Sequence, residues 1–198
     1  MIHALILDCF GVLYADPTAY FYNLALKRNA PQQASDFANL IRQVDSGMLT
    51  QQDFFQQVAD VFGVPVEEVS THLLKNVVRN TELIDYAQSL RPALKIGLLS
   101  NINRESMDVF FSPKEREDLF DDVVLSGDVH VIKPHPEIFE LAAQRLDIEP
   151  HEAIFIDDNA RNCEGARAVG MQSLQFSTNH ELFTALQPLL ASTPVDTV

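Results

Sequence analysis

The opening stretch MIHALILDCFGVL (1–13) decides how the rest of the chain is read. Ile2 and the run Ala4 to Leu7 are apolar without alternation, the pattern of a short strand buried on both faces, and the run is too short to span a membrane. It ends in Asp8, and Gly11 follows closely, where the backbone can turn sharply. A carboxylate at the end of a buried strand is costly to leave unpaired, which makes Asp8 a candidate for chemistry. The plainer alternative for this residue is a turn or capping aspartate.

The length of 198 residues allows one good core and a small second lobe. With 28 acidic against 14 basic residues, a formal net charge of -14, no broad positive surface exists to neutralise a nucleic-acid backbone. A chain this acidic must gather its cations locally if it handles a small anion, from a lysine, a metal ion or a helix N-terminus. The two cysteines, Cys9 and Cys163, form no CxxC pair, and the N-terminal run lacks the basic start of a secretory peptide. A cytoplasmic protein with free thiols is the expectation, with Cys9 a small apolar filler beside the candidate site.

From Tyr14 to Arg79 the spacing is helical throughout. One helix is expected over Thr18 to Arg28. Phe37, Leu40, Ile41 and Val44 make the stripe of a second. Thr50 and Asp53 announce a third, stopped at Gly63, and Val69, Leu73 and Val77 suggest a fourth. Tyr20, Phe21 and Tyr22 could line a pocket, although such a cluster is more often core. After Asn80 helices alternate with short apolar strands at 94–99, 122–125, 153–156 and 171–176, with SPKERED (112–118) read as a charged loop and the tail ASTPVDT (191–197) as frayed. The alternation predicts an α/β fold, a doubly wound parallel, Rossmann-like sheet, with residues 1–14 and 80–198 as its core and an α-helical cap inserted at 15–79.

In such sheets ligands gather at the carboxyl ends of the strands, and here those ends carry Asp8, Ser100-Asn101 and Asp157-Asp158, with Lys133 before Pro134 at a helix start. Phosphoryl transfer needs this set. A carboxylate can be the nucleophile, a hydroxyl and backbone N–H groups can hold phosphate oxygens, a lysine can neutralise charge, and clustered carboxylates can hold Mg2+.

Four stretches resemble, in order, the motifs of the haloacid dehalogenase-like (HAD) hydrolase superfamily: DCFGVL (8–13), LLSN (98–101), KPHPEIF (133–139) and FIDDN (155–159). NCEGARAVGM (162–171) and SGMLTQQDF (46–54) are also similar to family stretches, the second from its cap. The likeness is greatest to helical-cap phosphatases of the glucose-1-phosphate phosphatase-like branch and to the N-terminal domain of soluble epoxide hydrolases. The resemblance implies Asp8 as nucleophile, Ser100 and the Asn101 backbone as phosphate-binding groups, and Lys133 as the lysine ordering nucleophile and phosphate. For Mg2+ it implies Asp8, the Phe10 carbonyl and Asp158, with Asp157 beside them as a further or alternate ligand.

Phe10 departs from the family pattern, in which most phosphatases carry a second Asp two residues after the nucleophile to protonate the leaving oxygen. Losing a general acid costs about 100-fold to 10,000-fold in rate. The departure therefore implies a slow enzyme, a substrate with a good leaving group, or a substitute acid, for which His130 and His135 beside Lys133 are candidates. Arg104, in SNINR, is near enough to the second motif to touch a substrate or else to be a solvated helix start.

The first functional expectation is a Mg2+-dependent phosphatase acting on a small phosphorylated metabolite such as a sugar phosphate. A 2-haloacid dehalogenase, which also lacks the second Asp, is the alternative, but its chemistry at carbon gives a metal-binding acidic pair no task. A catalytically silent protein that binds a phosphorylated ligand or a protein partner is the third. No nucleic-acid or membrane partner is expected, and nothing in the cap's spacing requires an oligomer.

Overall fold

The structure is a computed structural model and describes residues 1–191, so most of the expected frayed tail lies outside the described residues. Its five strands are β1 (Ala4–Leu7), β2 (Lys95–Ser100), β3 (Asp122–Leu125), β4 (Ala153–Asp157) and β5 (Gln172–Gln175). All pair in parallel in the order β3-β2-β1-β4-β5. The chain winds outward from β1 to β3, then crosses back to add β4 and β5 on the other side. The winding reverses at β1, and that is where a doubly wound sheet opens its ligand crevice.

The strands are apolar on both sides because both are covered. Leu5, Leu7, Ile96, Leu98, Ile154 and Ile156 point into one core cluster, together with Leu83 and Ile84 of α5 (Thr81–Leu90), Met107 and Phe110 of α6 (Arg104–Phe110), and Leu182 of α11 (Asn179–Ala191). Ala4, Ile6, Leu99 and Phe155 point into the opposite cluster, against Ile138 and Phe139 of α9 (Pro136–Arg145) and Ala166 of α10 (Ala160–Ala168). This is the period-two alternation of a strand with an apolar residue at every step. Register brings the strand ends level: Leu7 lies opposite both Leu98 and Ile156, and the Asp8 N–H donates to the Ile156 carbonyl.

The segment between β1 and α5 is helical, as its spacing predicts: α1 (Ala19–Lys27), α2 (Pro31–Asp45), α3 (Gln51–Phe62) and α4 (Val66–Ser70). It encloses a third apolar cluster built on Phe21, Phe37, Val58 and Phe62. Thr50 caps α3 by accepting from the Asp53 N–H, and Gly63 ends it with φ 61°, a left-handed stop that glycine adopts without strain. Phe21 is core, and neither Tyr20 nor Tyr22 lines the cavity described below.

Two local expectations need correction. SPKERED is not a loop: Pro113–Leu119 forms α7, with the Ser112 hydroxyl accepting from the Glu115 N–H and Pro113 in the first turn. The Ser-Pro-x-Glu signature outweighs the run of charges. The helix expected through Val77 instead widens after α4 into a π-turn at Thr71–Lys75 and ends there, so Val77 lies beyond it.

Two of the hydrogen bonds that fasten the helical layer to the sheet domain come from side chains at the starts of α8 (Ser126–Val129) and α3. The Ser126 hydroxyl, in the short helix α8 after β3, donates to the Asp45 carbonyl at the end of α2. The Gln51 amide at the start of α3 donates to the Ser106 hydroxyl of α6 at 2.6 Å. Gly47, at φ 74°, lets the first junction close, since a Cβ there would stand 3.2 Å from the Gly127 carbonyl and 3.3 Å from the His130 ring.

Candidate active site

Lys133 is the pivot. It is 3% exposed, and its ammonium reaches Asp8 Oδ1 at 2.8 Å, Asp157 Oδ2 at 2.7 Å and the Leu99 carbonyl at 2.9 Å, one acceptor for each N–H. Burial works against its charge, yet Asp8 and Asp157 together hold its pKa above the ordinary value. Its backbone is pinned as well: the Asn101 amide oxygen accepts from the Lys133 N–H at 2.8 Å while its NH2 donates to the Lys133 carbonyl at 3.1 Å. Asn101 thus serves through its side chain, a contact the sequence did not suggest. Ser100 is buried at the end of β2, one residue before it.

The three carboxylates divide the work. Asp157 is fully buried and saturated by Lys133, by the Asn159 N–H at 2.8 Å and by the Asn162 amide at 3.0 Å to each oxygen. Asp8 has one oxygen, Oδ1, engaged by Lys133 and by the Cys9 N–H at 2.6 Å, while Oδ2 is left out of this network. Burial pushes its carboxyl up to about 7, Lys133 pulling it down and Asp157 adding to the rise. Asp158 is exposed, and its carboxylate meets its own backbone N–H but no side-chain hydrogen bond or ion pair among the described residues; partial desolvation, then the charges of Asp157 and Asp16, raise its pKa. An oxygen from each of Asp8, Asp157 and Asp158 lies within 4.8 Å of the others.

This donor set fits a hard divalent cation. It is all oxygen, two of its carboxylates are held above their usual range as carboxylates lacking a neutralising cation are, and the backbone leaves room for it. The room comes from Gly11. At φ 81° it turns the chain so closely past Asp158 that an added Cβ would lie 2.3 to 2.6 Å from the carboxylate atoms. The Phe10 carbonyl beside it accepts none of the turn's backbone hydrogen bonds, which run from the Gly11 N–H to Tyr14 and from the Leu13 and Tyr14 N–H groups to Cys9.

A cavity of about 280 Å³ opens above these residues, between the strand ends and the helical layer. Its floor includes Asp8, Phe10, Asn101 and Asp158. Its walls are largely apolar, with Ile41, Val44, Phe54 and Phe55 from α2 and α3 and Phe110 from α6. Asp16 and Asp45 also line it, and its lining contains no Lys, Arg or His. A larger surface hollow of about 820 Å³ along α9 lies away from the strand ends and shares none of these residues.

His130 and His135 are both exposed and neither lines the cavity. The His130 ring instead faces the Ser46 carbonyl, 3.3 Å from Nδ1. Arg104 pairs with Asp128 outside the cavity. The Phe10 ring stacks edge-on against Phe110 with centroids 4.9 Å apart. Sequence reasoning missed two lining carboxylates, Asp16 and, at the end of α2, Asp45. Asp45 immediately precedes the SGMLTQQDF stretch, but a carboxylate at the end of an amphipathic helix reads as solvated until the helix's neighbours are known. Cys9 and Cys163 are free and buried, and no helix among the described residues is long and apolar enough to cross a membrane.

A carboxylate cluster at the switch point of a parallel sheet places the chain among the doubly wound α/β enzymes. Within that class, the model for haloacid dehalogenase-like hydrolases matches residues 2–170, and the chain belongs to that family. Among curated relatives, drimenol cyclase drtB of Aspergillus calidoustus is 24% identical over 97% of this chain and 37% of its own length. Pyrophosphatase PpaX of Bacillus cereus (strain B4264) is 28% identical over 57% of this chain and 56% of its own. The chain therefore spans well under two thirds of these relatives. Among solved structures, the HAD-family enzyme BT-2542 of Bacteroides thetaiotaomicron, in complex with magnesium and inorganic phosphate, superposes with a TM-score of 0.74 at 25% identity, covering 92% of this chain and 100% of that one. L-2-haloacid dehalogenase of Xanthobacter autotrophicus, with chloropropionic acid covalently bound, gives 0.62 at 20% identity over 98% and 84%, a likeness of fold alone.

Proposed function

We propose that this hydrolase is a Mg2+-dependent phosphatase that cleaves phosphoric monoesters through an aspartyl-phosphate on Asp8. The observation that carries the reading is the division between a saturated Asp157–Lys133 pair and an Asp158 with no side-chain partner among the described residues, beside a half-engaged Asp8. Lys133 and the Cys9 N–H fix Asp8 through Oδ1, which leaves Oδ2 to attack phosphorus. Asp157, itself held by Asn159 and Asn162, keeps the ammonium in place, and Asn101 holds the lysine's backbone. In this reading Ser100, buried at the end of β2, and the backbone at Asn101, which lines the cavity, would receive phosphoryl oxygens. Mg2+ held by Asp8, Asp158 and the Phe10 carbonyl would offset the charge on those oxygens. Residues 15–79 act as a cap, closing the cavity over the substrate and excluding water during transfer.

The lining also bears on the organic part of the substrate. A wall of Ile41, Val44, Phe54, Phe55 and Phe110 with no cation favours an uncharged, partly apolar alcohol. A second phosphate or a carboxylate would meet Asp16 and Asp45 there. The same feature weighs against a 2-haloacid, whose carboxylate would need a cation in the cavity. The test is hydrolysis of para-nitrophenyl phosphate with Mg2+ and with chelator, beside chloride release from 2-chloropropionate. Metal-dependent phosphate release abolished by Asp8→Asn supports the reading, and chloride release independent of metal refutes it.

A further inference from the structure

We propose that Asp45, delivered by the helical layer, is the general acid and base that the β1 turn lacks, protonating the leaving oxygen and then activating water. The proposal rests on the phosphatase reading above. In-line displacement puts the leaving oxygen on the side of phosphorus opposite Asp8. Asp8 lies at the sheet end of the cavity, so that oxygen faces the helical layer, where the lining carboxylate is Asp45 at the end of α2. The Phe10 side chain is committed to Phe110 and carries no proton.

Asp45 differs from the other lining carboxylates. Asp8 and Asp158 belong to the floor, and Asp16 lies in the exposed turn before α1 with Oδ1 accepting from both the N–H and the hydroxyl of Thr18, at 2.8 and 2.7 Å. The Asp45 carboxylate accepts no hydrogen bond and forms no ion pair among the described residues, yet its backbone is held. Ser126 donates to its carbonyl, and Gly47 packs against Gly127 and His130. It is a free carboxyl on a fixed mount. Two influences favour its protonated form. Burial, then the charge of Asp8, lifts its pKa well above the usual carboxylate range against the pull of Lys133, and its place at the C-terminal end of a 15-residue helix sets the macrodipole against an anion. Asp16 and Asp158 share its cavity, the Tyr22 phenol lies within reach of its charge, and His130 stands beside Gly47, two residues on.

The steps balance. As the bond from Asp8 to phosphorus forms and the ester P–O bond breaks, the Asp45 proton passes to the departing alkoxide, releasing the alcohol. The Asp45 carboxylate then takes a proton from water, the water oxygen bonds to phosphorus, and the acyl-phosphate P–O bond breaks. Its electrons return to Asp8, leaving phosphate and a protonated Asp45.

The experiment compares wild type, Asp45→Asn and Asp45→Glu, with Mg2+, on hexyl phosphate and para-nitrophenyl phosphate, the latter also followed before steady state. Nitrophenolate leaves without a proton, whereas hexanol does not. Asp45→Asn is expected to slow hexyl phosphate about 100-fold to 10,000-fold while keeping the nitrophenolate burst within about 3-fold of wild type, followed by slow turnover. Asp45→Glu is expected to recover part of the hexyl phosphate rate. If Asp45→Asn leaves hexyl phosphate turnover unchanged, or slows the burst as much as it slows the alkyl ester, the proposal is overturned while the phosphatase reading stands. A wild type inactive on both esters overturns both.

Discussion

Replacing the candidate nucleophile should make the protein more stable, and the size of the effect follows from the site. Burial raises the Asp8 carboxyl from an ordinary 3.8 to about 7. Keeping it ionised above pH 7 therefore costs the fold about 4 kcal/mol relative to the unfolded chain. The sign follows from proton binding. Between about pH 4 and 7 the folded chain holds a proton on Asp8 that the unfolded chain has lost, so stability declines as pH rises through that window. Asp8→Asn removes the charge but keeps an oxygen that can accept from Cys9 and Lys133, and Lys133 retains Asp157 and the Leu99 carbonyl. Part of the gain is offset by the weaker pairing, leaving an expected stabilisation of about 1–3 kcal/mol at pH 8 in chelator. Urea denaturation at pH 4 and pH 8 measures it. The gain should be present at pH 8, shrink towards pH 4, and narrow when Mg2+ is added, because the wild type alone keeps the full ligand set. A variant less stable than wild type at pH 8, or a gain independent of pH, would refute the reasoning.

Three further outcomes are expected. Gly11→Ala should lose stabilisation by Mg2+ in thermal melts and cost about 1–2 kcal/mol by itself, because its Cβ meets the Asp158 carboxylate at a positive φ; an unchanged response to Mg2+ would exclude Asp158 from the cation site. Asn101→Ala, which removes both bonds to the Lys133 backbone, should destabilise by about 1–3 kcal/mol in urea and lower kcat more than it raises KM. Phe55→Ala should raise KM for hexyl phosphate while leaving that for a short-chain ester little changed; equal effects on both would argue that the substrate's organic part does not reach α3.

The site residues drawn from the sequence, Lys133 after the short helix α8 excepted, share one property: each ends a strand or follows one within a short turn. Asp8, Ser100, Asn101, Asp157 and Asp158 converge because parallel pairing aligns strand ends, and that alignment can be read from hydrophobic runs alone. Asp45 could not be found in this way. Its distance from Asp8 depends on how α2 lies over the sheet, which is set by the Ser126 and Gln51 contacts, and no local pattern encodes that tilt. For the same reason His130 and His135, close in sequence to Lys133, were plausible proton donors and prove to face elsewhere. The π-turn after α4 was illegible because the apolar spacing of Val69, Leu73 and Val77 suits an unbroken α-helix.

The position of β1 also has a consequence for how the chain is made. It is the first of the sheet's five strands to leave the ribosome, yet its neighbours are β2, which begins at Lys95, and β4, which begins at Ala153. Until both have been synthesised, an apolar strand carrying Asp8 waits with open edges, and its pairing is of the long-range kind that closes slowly. The carboxylates at the head of β1 and β4 can meet only when folding is nearly complete. Nascent chains stalled before β4 should therefore depend on chaperones, and recovery of Mg2+ binding during refolding should track the last phase of sheet formation.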